Sequence, residues 1–248
     1  EVMKIIVSED YNMLSKAAAD IIEEVIDEKN NAVLGLATGG TPIGTYEELI
    51  DRYNQKRINF SKITTINLDE YIGLDGNNTE SYRYFMNDKL FNHINIDKDK
   101  TFLPNGVAED IEKECKEYDK RIDEIGGIDV QILGVGNNGH IAFNEPNKYL
   151  DLNTHVVELK DETIKANSRF FDSLDEVPKK AITMGIGKIM QAKKIVLLAC
   201  GKSKVKAIEG LLSSKITTEN PATILNLHPD VTLIIDREIK ENLKDFDF

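Results

Sequence analysis

Cysteine is scarce in this chain: only Cys115 and Cys200 occur among its 248 residues. They form no spaced motif, so there is no disulfide framework and too few ligands for a structural zinc site. Two free thiols in a reducing cytosol are expected. Long hydrophobic runs are also missing. No stretch approaches the roughly 20 apolar residues of a membrane span. The opening segment, Glu1-Val-Met-Lys-Ile-Ile-Val7, lacks the long apolar region and cleavage site of a signal peptide. Positive charge is in short supply, with 31 Lys and Arg against 43 Asp and Glu, a net −12. That balance opposes broad binding to nucleic acid or to an anionic membrane. An anionic small molecule would need a local basic pocket.

Several catalytic signatures are absent too. There is no His-Glu-x-x-His, no His pair at helical spacing, no Walker loop and no Gly-x-Ser-x-Gly. A metal site, a nucleotide loop and a nucleophile-elbow hydrolase therefore have no support in the sequence, and no cofactor or metal is expected.

What is present is an alternation of short β-branched runs with amphipathic stretches. Strands are expected at Lys4–Val7, Ala32–Ala37, Ile63–Leu68, Ile128–Leu133, Ile195–Ala199 and Val231–Ile235, with shorter ones at Thr101–Leu103 and Val156–Leu159. Helices are expected at Met13–Glu28, Ile43–Tyr53, Ser81–Phe91, Glu109–Ile125, Glu162–Phe170 and Val205–Leu212. Continuous apolar strands between helices predict a three-layer α/β fold, a mostly parallel sheet with helices on both faces, modified Rossmann-like, as a single domain over residues 1–248. Ligands in such sheets bind beyond the carboxyl ends of the strands. Four polar turns follow expected strands: Thr38–Pro42, Asp69–Gly73, Gly134–Pro146 and Gly201–Lys204.

Each turn carries a chemical suggestion beside a plainer reading. Thr38-Gly-Gly-Thr-Pro42 can cradle a phosphate at a helix start, with Thr41 as N-cap and Pro42 in the first position. It can equally be a capped turn. Asp69 ends an apolar run, and partial desolvation would raise its carboxyl toward the range of a general base; a solvated loop acid is the alternative. Glu70 points the other way and is read as structural. His140 and Glu145, in Gly134-Val-Gly-Asn-Asn-Gly-His-Ile-Ala-Phe-Asn-Glu-Pro146, pair a proton carrier with a carboxylate, with Asn138 alongside. His93, His155 and His228 lack such a setting and are read as structural. Lys204 and Arg169 are the cations placed to complete a phosphate clamp, whereas Lys202 and Lys206 read as solvated. A phosphate cradle, one carboxylate base and a His–Glu pair suit proton abstraction beside a masked carbonyl in a sugar phosphate.

At these residues the chain closely resembles the glucosamine-6-phosphate deaminases. The matching runs are Thr38-Gly-Gly-Thr-Pro42, Leu68-Asp-Glu-Tyr-Ile-Gly-Leu74, Gly134–Pro146, Asn167-Ser-Arg-Phe-Phe171 and Leu227-His-Pro229, in order along nearly the whole chain. The resemblance implies the cofactor-independent conversion of glucosamine 6-phosphate and water to fructose 6-phosphate and ammonium, in the cytoplasm. It implies that His140 opens the pyranose ring, oriented by Glu145. Asp69 would move the proton between C2 and C1, and Thr38, Gly39, Gly40, Thr41, Arg169 and Lys204 would hold the phosphate. Small-molecule substrate, no nucleic acid and no membrane are the partners it implies.

Two departures stand out. The best-known members have Asp where this chain has Asn138, and Asn cannot take a proton, so Asn138 is expected to orient His140 by hydrogen bonding and to leave Glu145 as the only nearby charge. Members activated by N-acetylglucosamine 6-phosphate carry Ser-Ser, Arg and Lys where this chain has Lys148, Tyr149, His155 and Val157. The chain also ends soon after its last strand. No activation by that ligand, and a monomer or small homo-oligomer, are expected. Two other functions share features with this pattern. One is a 6-phosphogluconolactonase-like enzyme, which the Asp69 motif opposes. The other is the effector-binding domain of a sugar-responsive regulator, which should carry a basic helix-turn-helix segment not seen here.

Overall fold

Seven parallel strands make the central sheet, and the computed structural model describes residues 3–246. The first half of the chain runs β1 (Lys4–Ser8), α1 (Tyr11–Glu28), β2 (Val33–Leu36), α2 (Ile43–Asn54), β3 (Thr64–Asn67), β4 (Asp69–Tyr71), α3 (Tyr82–Lys89), β5 (Thr101–Phe102) and α4 (Ile111–Ile125). The second half runs β6 (Val130–Gly134), β7 (His155–Glu158), α5 (Asp161–Asn167), β8 (Lys180–Thr183), α6 (Ile186–Gln191), β9 (Lys194–Ala199), α7 (Val205–Leu212), β10 (Val231–Asp236) and α8 (Arg237–Asn242).

The large sheet has the order β1-β10-β9-β6-β2-β3-β5. Its strands are apolar on both faces because both faces are covered. Leu233 and Ile235 of β10 join one core layer, and Ile234 joins the other. Ile195 and Leu197 of β9 alternate with Val196 and Leu198 in the same way. Truncating a fully buried leucine such as Leu197 to alanine should cost about 2–5 kcal/mol. The order reverses between β6 and β2, so the loops after these two strands open into a crevice at the sheet's centre.

A second, three-stranded antiparallel sheet, β4-β8-β7, was not anticipated. β4 has only three residues, two of them acidic, and β8 reads Lys-Ala-Ile-Thr. Neither shows a strand period long enough to detect. The consequence concerns Asp69. It does not end β3, which stops at Asn67; it begins β4. Leu68 is the joint, donating to Leu36 O in the large sheet and accepting from Met184 N beside the small one. Asp69 therefore sits where two sheets meet, and this burial is deeper than a loop end provides. The run Val156–Leu159 is likewise an antiparallel strand, Glu158 being its last residue.

Candidate active site

The loops after β2 and β6, together with Asp69 of β4 and Lys204, line one cavity of about 380 Å³. Thr38, Gly39, Gly40, Thr41, Asp69, His140 and Lys204, far apart in sequence, meet there. Asn138, Glu145 and Arg169 do not line it. The first two stand behind His140. Arg169 is exposed in the turn after α5, its guanidinium 4.5 Å from the Phe170 ring centroid.

The cradle is built on backbone. Gly39 has φ +91°, a conformation that disfavours any side chain, and Cβ atoms on Gly39 or Gly40 would project into open space. The helix start differs from the sequence reading. α2 begins at Ile43, Pro42 precedes it, and Thr41 makes no capping bond. Instead Tyr11, from α1, supplies the cap. Its hydroxyl accepts from Gly44 N at 2.8 Å and bonds the carbonyls of Gly40 and Thr41. A residue 33 positions upstream does the work of a local cap, which no local motif reveals. Tyr46 pins the loop from below through both Ala37 backbone groups.

Asp69 is 7 % exposed. Burial, and secondarily the neighbouring Glu70 charge, push its carboxyl up from near 3.8 to about 8. Glu70 is held differently. It accepts from the backbone N–H groups of Tyr71, Tyr82 and Arg83 at 2.8–2.9 Å, which ties β4 to the start of α3. Its structural reading therefore stands, and α3 is fixed beside the acid it flanks.

The His140 loop is a chain of directed hydrogen bonds. Glu145 as a carboxylate can only accept, so the Asn138 group at 2.8 Å from its Oε2 is the amide nitrogen. The Asn138 carbonyl oxygen then faces His140, accepting from the backbone N at 3.0 Å and from Nδ1 at 2.8 Å. Nδ1 must carry the hydrogen, and Nε2 is left as the basic nitrogen. Glu145 Oε1 lies 3.4 Å from Nδ1 and Lys160 Nζ lies 3.9 Å from Oε2. Burial first holds His140 below its ordinary value. Glu145 opposes this, while Lys204 and Lys160 add to it. Lys204 is itself lowered by burial.

Backbone features fix the ring. A Cβ on Gly136 would lie 2.0–2.1 Å from the imidazole, so the ring packs directly on that glycine. Gly139 has φ +88° and no room beside Asn220. Ala142 takes φ +50°, and Asn144, buried, holds that turn by bonding Ile141 O and Met184 O. Phe143 N donates to Thr183 of β8. Sequence reading missed Asn144, Thr183, Phe143 and Tyr82; the last two line the cavity. The remaining histidines make backbone contacts. His93 bonds Asp88 O, His155 bonds Asn153 O, and buried His228 bonds Ala192 O. Among the described residues no three His, Cys, Asp or Glu side chains gather as metal ligands.

Comparison with known proteins gives three kinds of likeness. Residues 9–234 match the family described as glucosamine-6-phosphate isomerases/6-phosphogluconolactonase. Glucosamine-6-phosphate deaminase of Clostridium beijerinckii is 59 % identical over 242 residues, 98 % of this chain and 100 % of that one. The enzyme of that name from Thermoanaerobacter pseudethanolicus is 55 % identical over 99 % of this chain and 97 % of its own length. Among solved structures, a monomeric glucosamine-6-phosphate deaminase superposes with a TM-score of 0.91 at 49 % identity, covering 96 % of this chain and 99 % of that one. A 6-phosphogluconolactonase from Thermotoga maritima superposes with a TM-score of 0.75 at 19 % identity over 95 % and 100 %, a likeness of fold alone.

Proposed function

The chain belongs to the family of glucosamine-6-phosphate isomerases and 6-phosphogluconolactonases, and from that premise we propose that it deaminates glucosamine 6-phosphate. The products are fructose 6-phosphate and ammonium. The observation that carries this reading is the convergence of a buried carboxyl, a basic imidazole and a glycine–threonine cradle with a lysine on one cavity.

The steps balance without an external redox partner. His140 Nε2 takes the C1 hydroxyl proton and delivers a proton to the ring oxygen, so the pyranose opens to the aldehyde. Asp69, ionised, then takes the C2 proton while the C2 ammonium gives one of its protons to O1, giving a C1–C2 enolamine. The same carboxylic acid returns the proton to C1, and C2 becomes an imine. Water adds to C2, the C–N bond breaks, and ammonium leaves the ketone. An acid near 8 suits this traffic, because its driving force for taking and giving a proton is balanced near neutrality. The substrate's own ammonium, on the carbon to be deprotonated, favours the ionised carboxylate when bound.

The Asn138 relay supports His140 in this role. A neutral amide fixes the tautomer and adds no second negative charge to that of Glu145 beside Nδ1, so burial holds the imidazole below its ordinary value and the ring stays neutral and basic. The phosphate is assigned to Thr38–Thr41 and Lys204, where exposed backbone N–H groups and a half-buried cation converge. Arg169, exposed and outside the cavity in this structure, is kept as a phosphate ligand on the strength of the family resemblance alone. We also propose a monomer acting in the cytoplasm. The monomeric state of the solved relative supports the first, and two free cysteines support the second.

Incubation with glucosamine 6-phosphate tests the reading. Ammonium and fructose 6-phosphate should appear in equal amounts, and absence of both products defeats it.

A further inference from the structure

Tyr82 lines the cavity, yet the steps above give it no task. It opens α3, directly after the Glu70 clamp that fixes that helix to β4. Its ring is held on two sides. It lies 4.6 Å from the Tyr71 ring and parallel to that of Phe143, at 6.3 Å and 6°. Its hydroxyl donates to Tyr71 Oη at 3.2 Å, and the Thr38 side chain bonds the same oxygen. Thr38 belongs to the phosphate cradle, and the Asp69 charge also acts on this phenol. The oxygen thus stands between the two ends of the proposed site. Burial pushes the phenol well above its ordinary value, so it stays neutral. With its proton given to Tyr71, its remaining lone pair is an acceptor at the cavity wall.

The substrate has a matching order. With the C6 phosphate in the cradle and C2 at Asp69, the carbons between them are C5, C4 and C3, and C4 and C3 carry hydroxyls. We propose that Tyr82 is a specificity-determining residue whose oxygen accepts a hydrogen bond from the C3 or C4 hydroxyl of the sugar. This rests on the deaminase reading of the site. The contact is made in the bound sugar and kept through the reaction, so its loss raises KM more than it lowers kcat.

The test is a cycle of two enzymes and three substrates. Wild type and Tyr82→Phe are assayed with glucosamine 6-phosphate and its 3-deoxy and 4-deoxy analogues. The wild type should lose about tenfold in kcat/KM on one of the analogues, and Tyr82→Phe about tenfold on the parent sugar, chiefly through KM. On that one analogue the variant should match the wild type within about twofold, since the partner hydroxyl is already gone. Equal losses on all three substrates, or none, overturn the inference, as does a loss confined to kcat, which marks a displaced Asp69. Should the variant fail to fold, the wild-type arm decides alone: full activity on both analogues overturns it. Wild type that releases no ammonium from the parent sugar defeats the deaminase reading itself, a separate outcome.

Discussion

Replacing Asp69 by asparagine should stabilise the folded chain at neutral pH while stopping turnover. The folded chain holds the Asp69 carboxyl at about 8, against an ordinary value near 3.8. Between those values the folded state keeps a proton that the unfolded state has released. Its favourable contribution is complete below about pH 4 and is lost as pH rises through 8. At about 1.4 kcal/mol per unit, the gap between pH 4.5 and pH 8 comes to about 4 kcal/mol. Asparagine carries no such charge. Its amide, short of partners in the same place, subtracts about 1–3 kcal/mol at every pH, but that offset has no slope. Urea unfolding followed by circular dichroism at several pH values would measure both proteins. The stability difference, variant minus wild type, should rise by about 4 kcal/mol across that range. Curves that stay parallel within about 1 kcal/mol would show that Asp69 is not desolvated, and the argument for it as a tuned base would fall. Ammonium release measured alongside should vanish in the variant while the substrate still binds.

Four other outcomes follow from the same geometry. Asn138→Asp puts a charge beside His140 Nδ1, so the imidazole should titrate at least about one unit higher by NMR; an unmoved midpoint contradicts the relay. Gly136→Ala forces the ring off its seat, and kcat should fall about 100-fold with unfolding unchanged by more than about 2 kcal/mol; near-normal kcat shows the ring can shift freely. Lys204→Ala should raise KM about tenfold or more with a smaller change in kcat, and an unchanged KM removes it from the phosphate site. N-acetylglucosamine 6-phosphate should leave the substrate saturation curve hyperbolic and unshifted, because the groove behind Glu145 is lined by Tyr149, His155 and Val157, where the family resemblance leads one to expect other residues in an activated enzyme; a shift of the curve to lower substrate refutes this.

The parallel layer was legible because strands buried on both faces are written as continuous apolar runs, and all seven of its strands lie within two residues of the expected bounds at either end. The small sheet was not, since Asp69–Tyr71 and Lys180–Thr183 owe their extended form to each other rather than to a local period. That matters for the site: the depth of Asp69 comes from the junction of two sheets, and sequence alone suggested only partial desolvation. The glycines announced the cradle and the His140 turn, because positive φ leaves a residue-type signature at Gly39 and Gly139. Tyr11, Tyr82, Asn144 and Thr183 left none. Each acts across tens of residues or across sheets, through contacts that only folding creates. Asn138 was visible as a substitution, and a hydrogen bond orienting His140 was expected of it; which ring nitrogen it would fix was not. Only the direction of its amide, forced by Glu145, assigns the proton to Nδ1.

The central claim is that one buried carboxyl carries the proton from C2 to C1. Glucosamine 6-phosphate deuterated at C2, converted in ordinary water, tests it most directly. Because Asp69 is 7 % exposed, a proton it holds is shielded from bulk water, and part of the deuterium should appear at C1 of fructose 6-phosphate. Complete loss of the label to water, in a wild-type enzyme that still forms product, would contradict it.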